Sequence, residues 1–456
     1  MPVRRRSWMA QVLRYKPQGV TLPLISFGPI PQLRVGTEAL FPGGELGIVT
    51  SVGSRTTVQY LGAPIGLGRH TPVSFTNRQL SFPFDPKSIV GRSLDSLGRP
   101  LDGKPPLVGD PTPILGGILN PTRRTLAEGL IQTGFPALDA KEPIPQGVKI
   151  LWMKRPEESL DFAIARTLMR ARYRRKRGDP LRPLVVIFCA MGLPRDSILY
   201  FESIRTRIPR SIFVLHSASE PAIGALIAPQ TACQIGEQLA MDGEEVLLVI
   251  HDMRIFYNAL AEVRGIQGVP PGKDNSPVDF YSQAARIYER AFIKETGSLT
   301  EIVVMSVPNL DHSEIGANLT KYSTEGHIPW TNGSLDFLAA LSRLKGEAFL
   351  ASREDHKFLQ RVITASYSRA LEVREQASLG LKITAEIDLA YLRFARMFEE
   401  TVLHTSEFLD VEAALDRCWY ALGEVPAANL DIPPRIKEKW HQHRLHPAPS
   451  LQANPD

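Results

Sequence analysis

The sequence has few cysteines, no long apolar run and no large excess of charge of one sign. Its three cysteines, Cys189, Cys233 and Cys418, are widely spaced and form no CxxC pair, so we expect buried free thiols in a reducing compartment. The longest apolar runs, such as PLVVIFCAMG, have the length of a strand and are too short to cross a bilayer. The formal net charge of +5 over 456 residues does not require nucleic acid as a partner.

The N-terminal segment MPVRRRSWMAQVLRYKPQG also lacks the apolar stretch of a secretory signal. This pattern predicts a cytoplasmic protein whose contact with a membrane is peripheral at most.

Basic residues are concentrated in one segment, Arg170–Arg182, which reads RARYRRKRGDPLR. Such a cluster could bind an acidic partner or a nucleic-acid backbone. The alternative is a solvated helix end, where arginines complement the helix dipole before Gly178 and Pro180 end the helix. We favour the helix end, because no aromatic ladder or nucleic-acid motif accompanies the cluster.

The hydrophobic pattern predicts a multidomain α/β protein with boundaries at 1–90, 91–345 and 346–456. Short β-like segments separated by glycine turns, such as ELGIVTSV and RTTVQYLG, predict a small β-barrel or sandwich in the first domain. In the second, continuous apolar runs alternate with amphipathic helices, which is typical of a parallel sheet buried on both faces. The predicted strands are VKILWM, PLVVIFCAMG, SIFVLHS, EVLLVIHDM and EIVVMSV.

The third domain is predicted to be helical. Tyr391, Phe394, Ala395 and Phe398 follow the spacing i, i+3, i+4 and i+7, which places them on a single apolar helix face. The tail HPAPSLQANPD is expected to be disordered.

A loop without glycine joins the strand VKILWM to the helix DFAIARTLMRARY. In nucleotide enzymes, this strand–loop–helix step holds phosphates on backbone N–H groups, with a Lys and a Ser or Thr. Here Pro156 removes one donor, and Glu157 and Glu158 place negative charge where phosphate would lie. Ser159 and Leu160 stand roughly where the Lys and the hydroxyl are required. Tight ATP binding in the usual mode is therefore not expected.

Asp252 follows the predicted strand Val246–Ile250, at the carboxyl end of the sheet where ligands of open α/β folds bind. An acid at this place can hold Mg²⁺ through water in phosphoryl-transfer proteins. The alternative is a capping role in the next turn.

Several motifs together resemble the rotary ATPases. They are GRSLDSLGRPLDG (Gly91–Gly103), QTGFPALD (Gln132–Asp139), VIFCAMG, YSTEGHI from Tyr322 and LSRLKG from Leu341. The segments AMG and YLRFARMFEE resemble the B-type chain, which is the non-catalytic regulatory subunit of V/A-type ATPases or ATP synthases. The resemblance runs from the barrel nearly to the C-terminus.

The resemblance implies a β-barrel, a RecA-like nucleotide-binding domain and a helical bundle. It further implies a ring in which this chain alternates with a catalytic A subunit around a rotor stalk, with central and peripheral stalk subunits as partners. Such a complex couples ATP synthesis or hydrolysis to H⁺ or Na⁺ transport, and this chain contacts the membrane's cytoplasmic face only through the complex. Nucleic acid is not an expected partner.

A second deficit agrees with a non-catalytic role. Catalytic relatives carry a Glu after the second strand, whereas this chain has Met191–Pro194, which reads MGLP, at the matching place. We therefore expect no turnover by the isolated chain, no tightly bound cofactor and no metal site of its own. ATP or ADP is expected at the interface with the A subunit, which would hold most of the Mg²⁺ coordination.

Arg343 matches the family position whose guanidinium reaches the neighbouring subunit's nucleotide, so the resemblance implies an arginine finger acting in trans. Tyr322, Ser323 and Glu325 match the segment that borders the nucleotide, and Asp252 is a further candidate for cofactor binding. Without the resemblance, an ion pair for Arg343 and turn structure around Gly326 are the alternatives.

Two other functions stay open from the sequence. A diverged ring-forming paralogue could act as a scaffold or regulator outside ion pumping, which the eroded loop and the basic cluster favour. A self-sufficient ATPase is disfavoured by both catalytic deficits.

Overall fold

A computed structural model describes residues 13–62, 66–116, 125, 129–174, 179–208, 210–272, 276–311 and 313–441. The tail HPAPSLQANPD lies outside these residues. The chain divides into two compact units, the first made of Met1–Thr122 with Val185–Arg290 and the second of Arg123–Leu184 with Ala291–Asp456.

The described residues form strands and helices whose bounds are as follows. The strands are β1 Leu13–Tyr15, β2 Gly19–Thr21, β3 Leu24–Phe27, β4 Thr37–Leu40, β5 Leu46–Ser51, β6 Thr56–Tyr60, β7 Val73–Gln79, β8 Ser81–Phe84, β9 Ser93–Leu94, β10 Asp110–Pro113, β11 Leu130–Gln132, β12 Ile144–Pro145, β13 Lys149–Lys154, β14 Arg172–Arg174, β15 Arg182–Pro183, β16 Val185–Leu193, β17 Ser211–Ser217, β18 Glu245–His251, β19 Phe292–Lys294, β20 Gly297–Ser306, β21 Gly326–Thr331, β22 Ser334–Leu335 and β23 Leu341–Ser342. The α-helices are α1 Pro86–Ile89, α2 Pro136–Lys141, α3 Asp161–Arg170, α4 Arg195–Arg205, α5 Ala222–Met241, α6 Met253–Ile266, α7 Phe280–Tyr288, α8 Ile315–Ser323, α9 His356–Ser378, α10 Glu386–Phe398, α11 Val411–Leu422 and α12 Pro434–His441.

The first unit contains an antiparallel sheet with strand order β1-β7-β4-β5-β6-β3-β2. Its strands alternate in burial, as in β3, where Ile25 and Phe27 point into the core. Gly47 in β5 is required by close packing, because an added Cβ would lie 2.8 Å from Cγ1 of Val58. The short strands predicted for this region are confirmed, and they form one antiparallel sheet. In the part of the chain that is described, β1 and β2 remain two separate edges, so closure into a barrel is not observed there.

The first unit also contains a parallel sheet with strand order β18-β16-β17-β9. The central strand β16 is buried at every position except Gly192, and β18 is buried throughout. Helices α4, α5 and α6 alternate with these strands along the chain, as the apolar runs predict. Helix α5 spans Ala222–Met241, with Pro229 inside it.

The second unit has its own parallel strands, in the order β21-β13-β20. Strand β13 is buried over its whole length, with Trp152 and Trp330 of β21 in contact at 4.9 Å between ring centroids. Strand β23 adds an antiparallel pair to β21, with Gly326 opposite Ser342. This pairing brings the segment after β23 to the beginning of β21.

The predicted helical region belongs to the second unit. Helices α9, α10 and α11 enclose an apolar core in which Phe394, Ala395 and Phe398 are fully buried and Tyr391 packs against them. The predicted apolar face of α10 is therefore confirmed, as are the five predicted strands and the buried free thiols of the cysteines. The boundaries 1–90, 91–345 and 346–456 stay a prediction.

Candidate functional site

In the loop at the phosphate position, residues 155–160, polar groups make hydrogen bonds and an ion pair with other groups of the same chain. Lys154 ends β13, and its Nζ donates to the carbonyl oxygen of Glu158 at 2.9 Å. The backbone N–H of Glu158 donates to the carbonyl oxygen of Arg155 at 3.1 Å, which forms a tight turn. The Arg155 guanidinium lies 3.9 Å from the Glu158 carboxylate. The buried ammonium beside the loop is therefore bound to the loop backbone.

The beginning of helix α3 does not fit a phosphate group. Leu160 takes the N-cap position without a side-chain hydrogen bond, and the carboxylate of Asp161 lies in the first turn. That carboxylate already complements the positive end of the helix dipole, so an anion placed there would meet like charge. Pro156 and Glu157 are exposed on the loop, where one lacks an N–H donor and the other adds a second negative charge.

Asp252 caps a helix at the carboxyl end of β18 in the first unit. Its Oδ1 accepts the backbone N–H of Arg254 at 2.8 Å at the beginning of α6. The side chain is buried, and the peptide bond between His251 and Asp252 is cis. The capping alternative is thus observed, and a cofactor role for Asp252 stays a prediction.

The turn at the end of β16, where the family resemblance places a catalytic carboxylate, is held by a histidine. The backbone N–H of Gly192 donates to Nδ1 of His216 at 3.1 Å, and Nε2 of His216 lies 3.1 Å from the carbonyl oxygen of Pro221. These two partners fix the neutral tautomer with the proton on Nε2. Gly192 has φ +63°, and an added Cβ would lie 2.9 Å from Ile255. The sequence prediction missed His216, whose signal is a polar residue ending an apolar strand.

Arg343 follows β23 and is exposed. Its backbone N–H donates to the carbonyl oxygen of Glu325 at 2.8 Å, and its guanidinium donates to the carbonyl oxygen of Thr324. Among the residues that the structure describes, no carboxylate lies within 4.0 Å of this guanidinium. The ion-pair alternative for Arg343 is therefore not observed in this part of the chain.

Glu325 joins the beginnings of two neighbouring strands. Its Oε2 accepts the backbone N–H of Lys149 at 2.6 Å, and its Oε1 lies 3.1 Å from the Lys149 ammonium. The backbone N–H of Glu325 also donates to the carbonyl oxygen of Lys149 at 2.8 Å. The Glu325 carboxylate thus links the beginnings of β13 and β21. Lys149 was not predicted as part of the site.

Tyr322 and Ser323 end helix α8, just before β21. Tyr322 is 73% exposed and Ser323 is half-buried. The structure therefore brings Tyr322, Ser323, Glu325 and Arg343 into one segment of the second unit. It places Asp252 in the first unit.

The motif QTGFPALD forms a closed turn around a buried carboxylate. Asp139 accepts the backbone N–H and the hydroxyl of Thr133 at 2.8 and 2.7 Å, and the backbone N–H of Gly134 at 3.1 Å. Burial raises the pKa of Asp139 to about 7, while these hydrogen bonds oppose the shift. The Arg166 guanidinium lies 4.5 Å from the centre of the Phe135 ring.

Three arginines of the basic cluster contact the protein itself. Arg174 pairs with Glu412 at 2.7 Å, and Arg172 lies over the Phe408 ring. Arg170 donates to the carbonyl oxygen of Glu407 at 3.4 Å. Residues 175–178 of the cluster lie outside the described residues. The favoured interpretation, a solvated helix end ahead of Gly178 and Pro180, is wrong for the described residues, because α3 ends at Arg170 and Arg172–Arg174 form strand β14.

Within the described residues, no group of three or more His, Cys, Asp or Glu side chains is placed to hold a metal ion. A search of the same residues for a helix long and apolar enough to span a membrane found none.

Comparison with known proteins identifies the family. Residues 134–333 match the nucleotide-binding domain of the ATP synthase alpha/beta family, and residues 348–443 match the C-terminal domain of V and A type ATP synthase. The B subunit of the A-type ATP synthase of Aeropyrum pernix is 32% identical over 395 residues, covering 81% of this chain and 84% of that protein. The chain belongs to the B, or beta, family of V- and A-type ATP synthase subunits.

Two bacterial relatives extend the match. The V-type ATP synthase beta chain of Thermotoga neapolitana is 32% identical over 385 residues, or 79% of this chain and 81% of that protein. The V-type ATP synthase beta chain 1 of Treponema pallidum is 29% identical over 375 residues, or 81% of this chain and 84% of that protein. The resemblance to the B-type chain is therefore confirmed, together with a nucleotide-binding domain and a helical C-terminal domain of this family.

Proposed function

We propose that this chain is the non-catalytic, regulatory B subunit of a V/A-type rotary ATPase or ATP synthase. It alternates with catalytic A subunits in a ring, supplies an arginine finger to them and couples ATP turnover to proton or Na⁺ transport. The observation that supports this most is the contrast between two places in the second unit. In the loop 155–160, the Glu158 carbonyl oxygen is bound by the Lys154 ammonium of the same chain. Arg343, in contrast, is exposed and has no carboxylate partner among the described residues.

The proposed chemistry rests on the guanidinium of Arg343. A planar, permanently charged fork stabilises the negative charge that develops on a transferring phosphoryl group. Its observed hydrogen bond to the Thr324 carbonyl leaves further N–H donors for a phosphate held by the neighbouring subunit. An arginine finger is typically worth about 10³–10⁵ in rate, or roughly 4–7 kcal/mol.

Nucleotide binding is likewise proposed to involve both this chain and the A subunit. In this proposal ATP or ADP is bound at the interface with the A subunit, which holds most of the Mg²⁺ coordination. Tyr322, Ser323 and Glu325 border that nucleotide, and Asp252 of the first unit is a separate candidate for cofactor binding. Tyr322 is best suited among them, because its ring is exposed while the two carboxylates already bind groups of this chain.

The domain organisation belongs to the same proposal. The barrel would cover residues 1–90, a RecA-like domain with a degenerate phosphate loop residues 91–345, and the helical domain residues 346–456. Central and peripheral stalk subunits complete the complex at the cytoplasmic face of the membrane.

The experiment compares the isolated chain with the complex. We expect calorimetric titration of the pure chain with Mg-ATP to show no tight binding, because Lys154 and Glu158 close the loop. Co-expression with a catalytic A subunit should give a ring that hydrolyses ATP. Hydrolysis by the pure chain, abolished by Asp252→Asn, would contradict the proposal and favour a self-sufficient ATPase.

A second candidate is a ring-forming paralogue that acts as a scaffold or regulator outside ion pumping, which the self-closed loop also favours. Affinity purification from native membranes separates the two. Recovery of the chain without A, stalk and membrane-sector subunits would support the scaffold.

A further inference from the structure

Two consecutive buried charges hold the segment that carries Arg343. Lys141 and Glu142, at the end of α2, are only 4% and 1% exposed. They lie about 200 positions before the segment 337–345 in sequence and contact it along its length. This pair is not among the residues that the sequence predicts for the site.

Glu142 binds on both sides of Arg343. Its Oε2 accepts the backbone N–H of Ser342 at 2.8 Å, and its Oε1 accepts the ammonium of Lys345 at 2.9 Å. Because one buried carboxylate holds the residue before Arg343 and a residue shortly after it, the backbone at Arg343 has little freedom to shift. A buried carboxylate with two such partners is stabilised by charge-assisted hydrogen bonds.

Lys141 holds the residues that lead into β23. Its Nζ donates to the carbonyl oxygens of Phe337 at 2.7 Å, Leu338 at 3.3 Å and Ala340 at 2.7 Å, and it lies 5.1 Å from the centre of the Phe337 ring. Burial lowers the pKa of Lys141, and the neighbouring Glu142 opposes that shift. Three carbonyl oxygens of a non-helical segment are thus satisfied by one ammonium.

The other side of Arg343 is fixed by the Glu325–Lys149 pair. The Arg343 N–H binds the Glu325 carbonyl, and Glu325 is itself held on β13 by Lys149. The backbone of Arg343 is therefore tied to α2, β13 and β21, while its side chain is exposed.

We propose that Glu142, through its bonds to Ser342 and Lys345, is a positioning residue that sets the place of the Arg343 guanidinium toward the neighbouring subunit's nucleotide. This inference rests on the proposed arginine finger. Transition-state stabilisation depends steeply on geometry, and a displacement of about 1 Å can cost about a hundredfold in rate. Weakening the bonds from Glu142 to Ser342 and Lys345 should therefore lower the turnover rate. The affinity for nucleotide, which the partner provides, should be retained.

The test measures ATP hydrolysis by the complex with the catalytic subunit, using Glu142→Gln and Lys345→Met. Gln keeps an acceptor for Ser342 but loses the charge that holds Lys345. We expect kcat to fall about tenfold with KM for ATP within about twofold, and Lys345→Arg to retain most of the activity. Thermal unfolding of each purified variant checks that the chain is folded.

A double-mutant cycle separates positioning from a general structural role. If Glu142 acts through Arg343, Glu142→Gln should cause no further loss in an Arg343→Ala background. The matched control is Glu412→Gln, which breaks the 2.7 Å ion pair with Arg174 and should leave kcat unchanged.

The outcomes distinguish this inference from the proposed function. Loss of activity in Arg343→Ala with no effect of Glu142→Gln, or with an additive effect, would overturn the positioning role alone. Full activity of Arg343→Ala would overturn the finger and the positioning role together.

Discussion

His356 is a buried side chain whose charge state depends on its surroundings. The imidazole is fully buried at the beginning of α9, where Nδ1 accepts the Leu350 N–H at 3.3 Å and Nε2 lies 3.0 Å from the Ala140 carbonyl oxygen. Burial lowers its pKa to about 4, although the bond to Ala140 opposes the shift. An imidazole in the unfolded chain has a pKa of about 6.5, so folding favours the neutral form.

The pH dependence follows from this difference. Between about pH 6.5 and pH 4 the unfolded chain binds a proton that the folded chain does not. The stability that His356 contributes is therefore fully present above about pH 6.5 and is lost as the pH falls toward about 4. The total is about 3 kcal/mol for a shift of this size.

We predict that His356→Asn is less stable than the wild type at about pH 7.5 and that this gap narrows as the pH is lowered. Between about pH 7 and pH 4.5 the difference in unfolding free energy should shrink by about 2–3 kcal/mol. Urea unfolding of both proteins at each pH measures it. A gap that stays constant over this range would contradict a neutral buried imidazole.

At the scale of single elements, a buried ion pair joins helix α5 to the segment after α7. Nε of Arg290 donates to Oε1 of Glu237 at 2.8 Å, and its terminal nitrogen donates to Oε1 of Gln234 at 2.7 Å. Arg290 is 1% exposed and Glu237 is 2% exposed. Removal of one partner would leave an uncompensated charge in the interior.

Arg290→Met should therefore lower the free energy of unfolding by about 3–5 kcal/mol, because the Glu237 carboxylate loses its cation. The double variant Arg290→Met/Glu237→Met should recover a large part of this loss, since no buried charge remains. Chemical denaturation of the wild type and the variants makes the comparison. A double variant less stable than Arg290→Met would show that packing, not charge, dominates there.

The elements that could be predicted from the sequence are those whose signal is local. The apolar runs of β16 and β18 predict buried strands, because a strand covered on both faces needs apolar side chains at every position. The spacing of Phe394, Ala395 and Phe398 likewise predicts the buried face of α10. In these cases the hydrophobic pattern that predicts the element lies entirely within one short stretch of sequence.

The contacts that define the candidate site could not be predicted, because they join distant residues. Glu142 and Ser342 are 200 positions apart, and Lys149 and Glu325 are 176 positions apart. Charged residues at such places look like ordinary surface residues in the sequence. The sequence shows that the loop 155–160 lacks glycine. It does not show that the buried Lys154 ammonium binds the backbone of this loop, because that contact depends on side-chain placement.

At the scale of the whole molecule, the proposed function is that the chain acts on chemistry that takes place in its neighbour. Its sequence matches both the nucleotide-binding and the C-terminal domains of the ATP synthase families. Its loop 155–160 does not fit phosphate, and its turn Met191–Pro194 has no carboxylate and is bound through the Gly192 N–H to His216 of β17. Arg343 is then the residue through which a catalytic effect would be transmitted.

The most direct test is the kcat for ATP hydrolysis, at saturating Mg-ATP, of the complex with its catalytic partner when every copy of this chain carries Arg343→Ala. We predict a loss of about a hundredfold or more, with the ring intact by size-exclusion chromatography. Arg343→Lys, which keeps the charge without the planar fork, should restore only a small part of the rate. A complex that assembles with Arg343→Ala and keeps full turnover would rule out an arginine finger at this position.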